Sequence, residues 1–161
     1  MNGADGESIH PPGAILATAI AAMNADVLPF TWLEGMNDVL TTDWEGVNGT
    51  WPCYLHARER DEQLLVYSVM AENVPAAQRP AVAEFLTRVN YAMTIGNFEM
   101  DFDDGEVRYK TSVDVEGDHL SVAMARQLFR LNVATMDLFL PGIEAVIRGD
   151  GSPAEVLASL E

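Results

Sequence analysis

Basic side chains are scarce in this 161-residue chain. Nine Lys and Arg stand against 25 Asp and Glu, a formal net charge of −16, and none of the nine precedes Arg58. Such a surface repels a phosphate backbone and an anionic membrane, so neither nucleic acid nor lipid is expected as a direct partner. The acidity serves either solubility or attraction of a basic protein, and charge alone leaves both open. Cysteine is nearly absent: Cys53 stands alone, which excludes an intrachain disulfide and fits a reducing compartment. Gly13 to Met23 has the apolar length of a signal-peptide core but no positive residue before it. No run reaches the roughly 18 apolar residues of a membrane helix. A cytoplasmic location is expected.

Motifs of chemistry are also missing. There is no G-x-S-x-G elbow, no phosphate-binding G-x-x-x-x-G-K-[ST] and no G-x-G-x-x-G. His10, His56 and His119 lie far apart and Cys53 has no spaced companion, so nothing resembles a zinc site. Cys53 alternates in phase with Trp51 and Leu55, as a small buried hydrophobe does. The run Asp101-Phe102-Asp103-Asp104-Gly105-Glu106 invites a calcium reading, but its third acid and its Gly come one place early for an EF-hand loop, and Ser112 stands where the closing Glu belongs. No catalytic residue, metal or cofactor is therefore expected. The alternatives are a hydrolase using paired carboxylates in an acidic cleft, or a structural subunit of a stable complex.

With 48% hydrophobic residues the chain can bury one core. The expected division is an N-terminal segment, 1–27, and a single α+β domain, 28–161. Met1 to Pro12 reads as a loosely ordered lead-in. Ile15 to Met23 reads as a short helix, or as a tether that docks only in an oligomer. Thr31 with Glu34 looks like a capping box opening a helix whose stripe is Phe30, Leu33, Met36 and Leu40. From Thr50 the period becomes two, with Trp51, Cys53, Leu55 and Ala57 on one face. Pro52 belongs near the strand's start or on an edge. Leu64 to Met70 is apolar on both faces, as in a central strand. Arg79 to Met93 is helical, with Val82, Phe85, Leu86, Val89 and Met93 on one side. A long helix from about His119 to Phe139 carries Met124, Leu128, Leu131, Met136 and Phe139, with Pro141 expected to break or kink it. Ser152-Pro153-Ala154-Glu155 opens a last short helix. The methionines Met93, Met100, Met124 and Met136 fit core stripes, or alternatively a soft binding groove.

Between these helices, Asp104-Gly105 is the dipeptide that a two-residue type I′ hairpin prefers. That loop pairs Phe102 with Val107, Met100 with Tyr109 and Phe98 with Thr111, and on the other face Asp101 with Arg108 and Glu99 with Lys110. Glu99, Asp101, Arg108 and Lys110 are accordingly the candidate interaction surface, with a solvated sheet face as the plainer explanation.

Three blocks carry a resemblance: Asn90-Tyr91-Ala92-Met93, then Gly96-Asn97-Phe98-Glu99-Met100-Asp101, then Asp104-Gly105-Glu106-Val107-Arg108-Tyr109-Lys110. Gln63-Leu64-Leu65-Val66-Tyr67-Ser68 ahead of Val74-Pro75, and Asn132 to Pro141 with Met136-Asp137, extend it over about 31–157. In these the chain resembles the YbjN-domain family, with Ala92 where glycine is expected and residues 1–27 outside the match. The resemblance implies a bacterial sensory-transduction regulator and an antiparallel sheet flanked by helices, similar to type III secretion chaperones and commonly dimeric. It implies no catalytic residue. A non-enzymatic regulatory or chaperone-like protein-binding domain is the expected function, with a protein partner and a homodimer.

Overall fold

Alternating burial and helical stripes organise residues 13–160, which the computed structural model describes; the expected lead-in of residues 1–12 lies outside them. The elements are α1 (Ala14–Ala25), β1 (Thr31–Trp32), β2 (Val39–Glu45), β3 (Thr50–Arg58), β4 (Gln63–Val69), α2 (Arg79–Ala92), β5 (Asn97–Met100), β6 (Val107–Asp114), α3 (Val122–Arg148) and α4 (Pro153–Ala158). The strands form one antiparallel sheet in the order β1-β2-β3-β4-β6-β5. This is an α+β fold.

The period-two segments become strands as their patterns require. Trp51, Cys53, Leu55 and Ala57 of β3, with Leu64, Val66 and Ser68 of β4, face the core. Pro52 falls near the start of β3, one residue before the pairing with β4 begins. Strand β4 is interior, but Leu65, Tyr67 and Val69 are only half-buried on its other face. The helices pack against the side bearing the buried chains.

The expected helix after Thr31 does not form. Gly35 takes φ +78°, and Leu33 donates its N–H to Val39 O at 3.0 Å, so the segment turns back and β1 pairs with β2. The β-branched Val39, Thr41 and Thr42 favour the pleated sheet over the helix. Helix α1 does form, with Ile15, Leu16, Ala19, Ala22 and Met23 buried in the core. Its first N–H groups have no intrahelical acceptor. The Glu59 carboxylate accepts from Ile15 N (3.2 Å) and Leu16 N (2.8 Å), and a Cβ on Gly13 would lie 2.2 Å from that carboxyl carbon. At its other end Asp26 accepts from both Arg126 and Arg130 of α3. The Arg126 hydrogen bond is the main reason that the Asp26 carboxyl titrates below its ordinary range.

Pro141 neither ends nor divides α3, which runs unbroken from a Ser121 cap to Gly149. Proline has no N–H, so the carbonyl four residues back, that of Asp137, loses its helical partner. Asn48 supplies one: its side-chain Nδ2 donates to Asp137 O at 2.9 Å. The Asp137 carboxylate in turn accepts from Val47 N (3.0 Å) and Asn48 N (2.8 Å) in the β2–β3 turn. A Cβ on Gly46 would come within 2.5 Å of that carboxylate, so the approach needs glycine.

Asn48→Ala should lower stability by about 1 kcal/mol, the worth of one hydrogen bond, and Asp137→Ala by about 2 kcal/mol, because the two hydrogen bonds to its carboxylate go with it. Urea denaturation of the two variants and their double mutant checks both the size and the non-additivity expected of groups in contact.

Candidate partner-binding surfaces

Three of the four sequence candidates meet on the outer face of the sheet. Glu99 of β5 lies opposite Arg108 of β6 and diagonal to Lys110. Its carboxylate accepts from Arg108 Nε at 2.8 Å and from Lys110 Nζ. Burial alone would raise the Glu99 pKa, but the hydrogen bonds from Lys110 and Arg108 outweigh it and hold the carboxyl below its ordinary value. The Arg108 guanidinium also lies 4.7 Å from the centre of the Tyr67 ring, within cation–π reach. Along the sheet, Thr41, Tyr54, Tyr67, Lys110 and Asn97 succeed one another across five strands. Leu65 and His56 form the adjacent row. This face is therefore aromatic and apolar at its centre, with charges at its β5 side.

Asp101 is placed apart from the trio's hydrogen bonds. It lines the same 380 Å³ hollow as Glu99 and Arg108, but it belongs to the hairpin's turn. The register differs from the sequence expectation by two residues: Met100 pairs with Val107, Phe98 with Tyr109 and Glu99 with Arg108. Both faces of the strands are preserved, because a shift of two keeps the alternation. The two-residue turn gives way to a longer loop, 101–106, closed by Asp101 N to Glu106 O (2.9 Å) and Gly105 N to Asp101 O (2.8 Å). The cause lies outside the hairpin. Arg79 donates to Phe102 O (2.9 Å), Asp103 O (3.2 Å), Asp104 O (2.9 Å) and Val74 O (3.1 Å), while Val74 N donates to Gly105 O at 2.8 Å. The acidic run is a turn whose carboxylates serve its own backbone: Asp101 Oδ1 accepts from Asp103 N, and Asp104 Oδ1 from Glu106 N.

A second surface includes Met124, for which the sequence left open a core stripe or a soft binding groove. Between α3 and β6 lies a hollow of about 690 Å³, lined by Ile95, Val113, Met124, Leu128 and Leu131 with Ser112, Gln127 and Arg130 at its borders. Met124 and Leu131, expected in the core, are each 37% exposed. The side of α3 that faces the core is instead Ala125, Phe129, Asn132, Val133, Met136 and Leu140. Of the other methionines, Met136 is fully buried, while Met93 and Met100 pack partly against the core.

Groups suited to catalysis are placed otherwise. Burial pushes the Cys53 thiol up to about 11, and its sulfur lies 3.5 Å from Ser68 Oγ inside the core. A carboxyl acting as a general acid needs a raised pKa. The described carboxyls whose titration departs from the ordinary, Asp26, Glu99, Asp114 and Glu155, all move down.

A family model named YbjN, described as "Putative bacterial sensory transduction regulator", matches residues 30–145. No curated protein matches the chain. Among solved structures it is similar to one titled YbjN, "a putative transcription regulator from E. coli", at 15% identity and a TM-score of 0.55, covering 86% of this chain and 92% of that one. At that identity the likeness is one of fold alone. An ExoT-SpcS complex from Pseudomonas aeruginosa (15% identity, TM-score 0.47, 77% and 92% covered) and a HopA1-SchA chaperone-effector complex (14%, 0.39, 84% and 88%) are more distant.

Two outcomes test this geometry. Arg79→Ala should cost about 2 kcal/mol in denaturation, as expected when charge-assisted bonds to backbone carbonyls are lost, with the 101–106 amides exchanging faster. Because the folded Glu99 titrates below 4.5, its contribution to stability is complete above that pH and is lost as pH falls through the lower folded-state value. Glu99→Gln should therefore flatten the acid limb of stability measured by urea denaturation at successive pH values.

Proposed function

This chain belongs to the YbjN family, and we propose that it acts as a regulatory or chaperone-like adaptor that binds another protein and performs no chemistry of its own. The observation that carries the reading is the outer sheet face. Tyr54 and Tyr67 adjoin across β3 and β4, with Leu65 beside them and an arginine already held over one ring. Aromatic and arginine side chains dominate the energetics of protein interfaces, and the aromatic ones bury much area with little loss of conformational freedom. Arg108 is moreover fixed by Glu99, so little further order is needed on docking. Glu99, Asp101, Arg108 and Lys110 border this surface and set its polar rim. The net charge of −16 favours a partner with a basic surface and a fast, salt-sensitive encounter. The adaptor works as a homodimer in the cytoplasm.

Affinity capture from native lysate across a salt series, with Tyr67→Ser and Arg108→Ala as paired baits, tests the reading. The wild type should retain one or a few proteins, progressively released by salt, and the folded Tyr67→Ser bait should lose them at least tenfold. Equal retention on all three baits, or none on the folded wild type, would overturn it.

A further inference from the structure

Among the described residues, Asn48 alone is an asparagine followed by glycine. Glycine carries no Cβ, so nothing shields the backbone nitrogen of residue 49 from the side chain before it. Asn48 is exposed at the tip of the β2–β3 turn, and Gly49 N makes no hydrogen bond among the described residues. The turn is closed through the glycine's carbonyl instead, which accepts from Gly46 N at 2.8 Å. Asp104-Gly105 shows the contrary arrangement: there the glycine N–H is held by Asp101 O at 2.8 Å and the Asp104 carboxylate by Glu106 N. At 48–49 the two partners of an intramolecular acyl transfer are thus adjacent, and the nitrogen is unengaged.

We propose that Asn48 is a site of spontaneous covalent modification, at which hydrolysis of the side-chain amide unfastens the β2–β3 turn from α3. The Gly49 nitrogen gives up its proton to solvent base and attacks Cγ of Asn48. The new N–Cγ bond closes a cyclic imide, and the Cγ–Nδ2 bond breaks, with Nδ2 taking up a proton and leaving as ammonia. Water then opens the ring. Addition at Cγ gives aspartate, and addition at the backbone carbonyl gives isoaspartate, in which the main chain runs through the former side chain. Neither product can do what the amide does here. Nδ2 donates to Asp137 O at 2.9 Å, the carbonyl that Pro141 leaves without a helical partner. A carboxylate in its place has nothing to donate, and it sets a negative charge beside the Asp137 carboxylate that Asn48 N and Val47 N hold at 2.8 and 3.0 Å. Isoaspartate also lengthens the backbone inside the turn that the Gly46–Gly49 bond closes. The same contacts set the pace. The leaving nitrogen is tied to α3 and the Asp137 charge opposes loss of the neighbouring Gly49 proton, so reaction follows local opening of the turn, with Asp137 as its brake. This chemistry is independent of the adaptor reading.

Peptide mapping by mass spectrometry, after incubation of the intact chain in mildly alkaline buffer, tests the site. The peptide holding Asn48 should gain a single mass unit with time, in two chromatographic forms, ahead of those holding Asn24, Asn73 and Asn90. Asp137→Ala should speed the gain roughly fivefold or more, the factor that corresponds to about 1 kcal/mol of lost restraint. Asn48→Gln, whose longer side chain closes the ring poorly, should stop it at this position. Asn48→Asp should lower the urea midpoint, and its deficit should shrink with added salt as that of Asn48→Ala does not. The proposal is overturned by a native wild type that gains no mass at Asn48 while the urea-unfolded chain does, by an equal gain at the other asparagines, by an Asp137→Ala rate equal to the wild type's, or by an Asn48→Asp variant as stable as the wild type. The first two outcomes need no variant, so a substitution that fails to fold leaves the site decided.

Discussion

A single buried amide sets the rotation of α3 on the sheet. Asn132 is fully buried, and its Nδ2 shares its two hydrogens among Val66 O (2.9 Å), Tyr109 O (3.2 Å) and Thr111 Oγ1 (3.2 Å), so one side chain grips both β4 and β6. Thr111 completes the link by donating to Leu128 O at 3.2 Å. Turning the helix by one residue, about 100°, would strand that amide among apolar chains, at a cost comparable to the loss of its hydrogen bonds. Everything else that α3 presents follows from this rotation. Arg126 and Arg130 come to face the end of α1, Asp137 meets the β2–β3 turn, and Met124, Leu131 and Leu138 point away from the core.

That anchor also explains what the sequence hid. A reader of hydropathy takes Met124, Leu128 and Leu131 as the buried stripe of α3, because they are its bulkier apolar residues. The stripe that is buried includes Ala125 and Asn132, which weigh little or negatively on any hydrophobic scale. Ala125 is chosen for close approach and Asn132 for its bonds, and neither property is visible in periodicity. Pro141 misleads in the same way. Its effect on the helix depends on whether the orphaned Asp137 carbonyl finds a donor, and the donor is Asn48, distant in sequence.

Local signals were legible where the local energy decides the outcome. Strands β3 and β4, helix α2, the capping box at Ser152 and Glu155, and the alternation through the hairpin could all be read from spacing. They failed where a distant residue outbids the local preference. Asp104-Gly105 suits a tight turn, yet Arg79 and Val74 together supply several hydrogen bonds to the longer loop, each worth about 1 kcal/mol or more, and these outweigh the local preference. Thr31 and Glu34 suit a capping box, yet the β-branched run after Val39 and the left-handed Gly35 turn the same segment into sheet. Of the four candidate surface residues, Glu99, Arg108 and Lys110 could be grouped from alternation alone. Asp101 borders the same hollow but is not hydrogen-bonded to the other three, because the register is set by that remote contact.

The scarcity of basic residues then acquires a structural meaning. Arg79 holds the hairpin turn, Arg126 and Arg130 hold α1, Arg108 and Lys110 hold Glu99, and Arg58 and Arg88 pair with Asp61 and Glu84 within their own segments. Cations spent as internal fasteners leave the acids to dominate the field outside. A partner approaching from solution therefore meets repulsion if acidic and attraction if basic, with two exceptions where apolar chains replace charge: the middle of the outer sheet face and the uncovered stripe of α3. Desolvating either surface strips water from few ionised groups, so hydrophobic burial there is not offset by the loss of charge hydration. The two surfaces lie on different sides of one small domain, the first on the open face of the sheet and the second on the helix that packs against its other face.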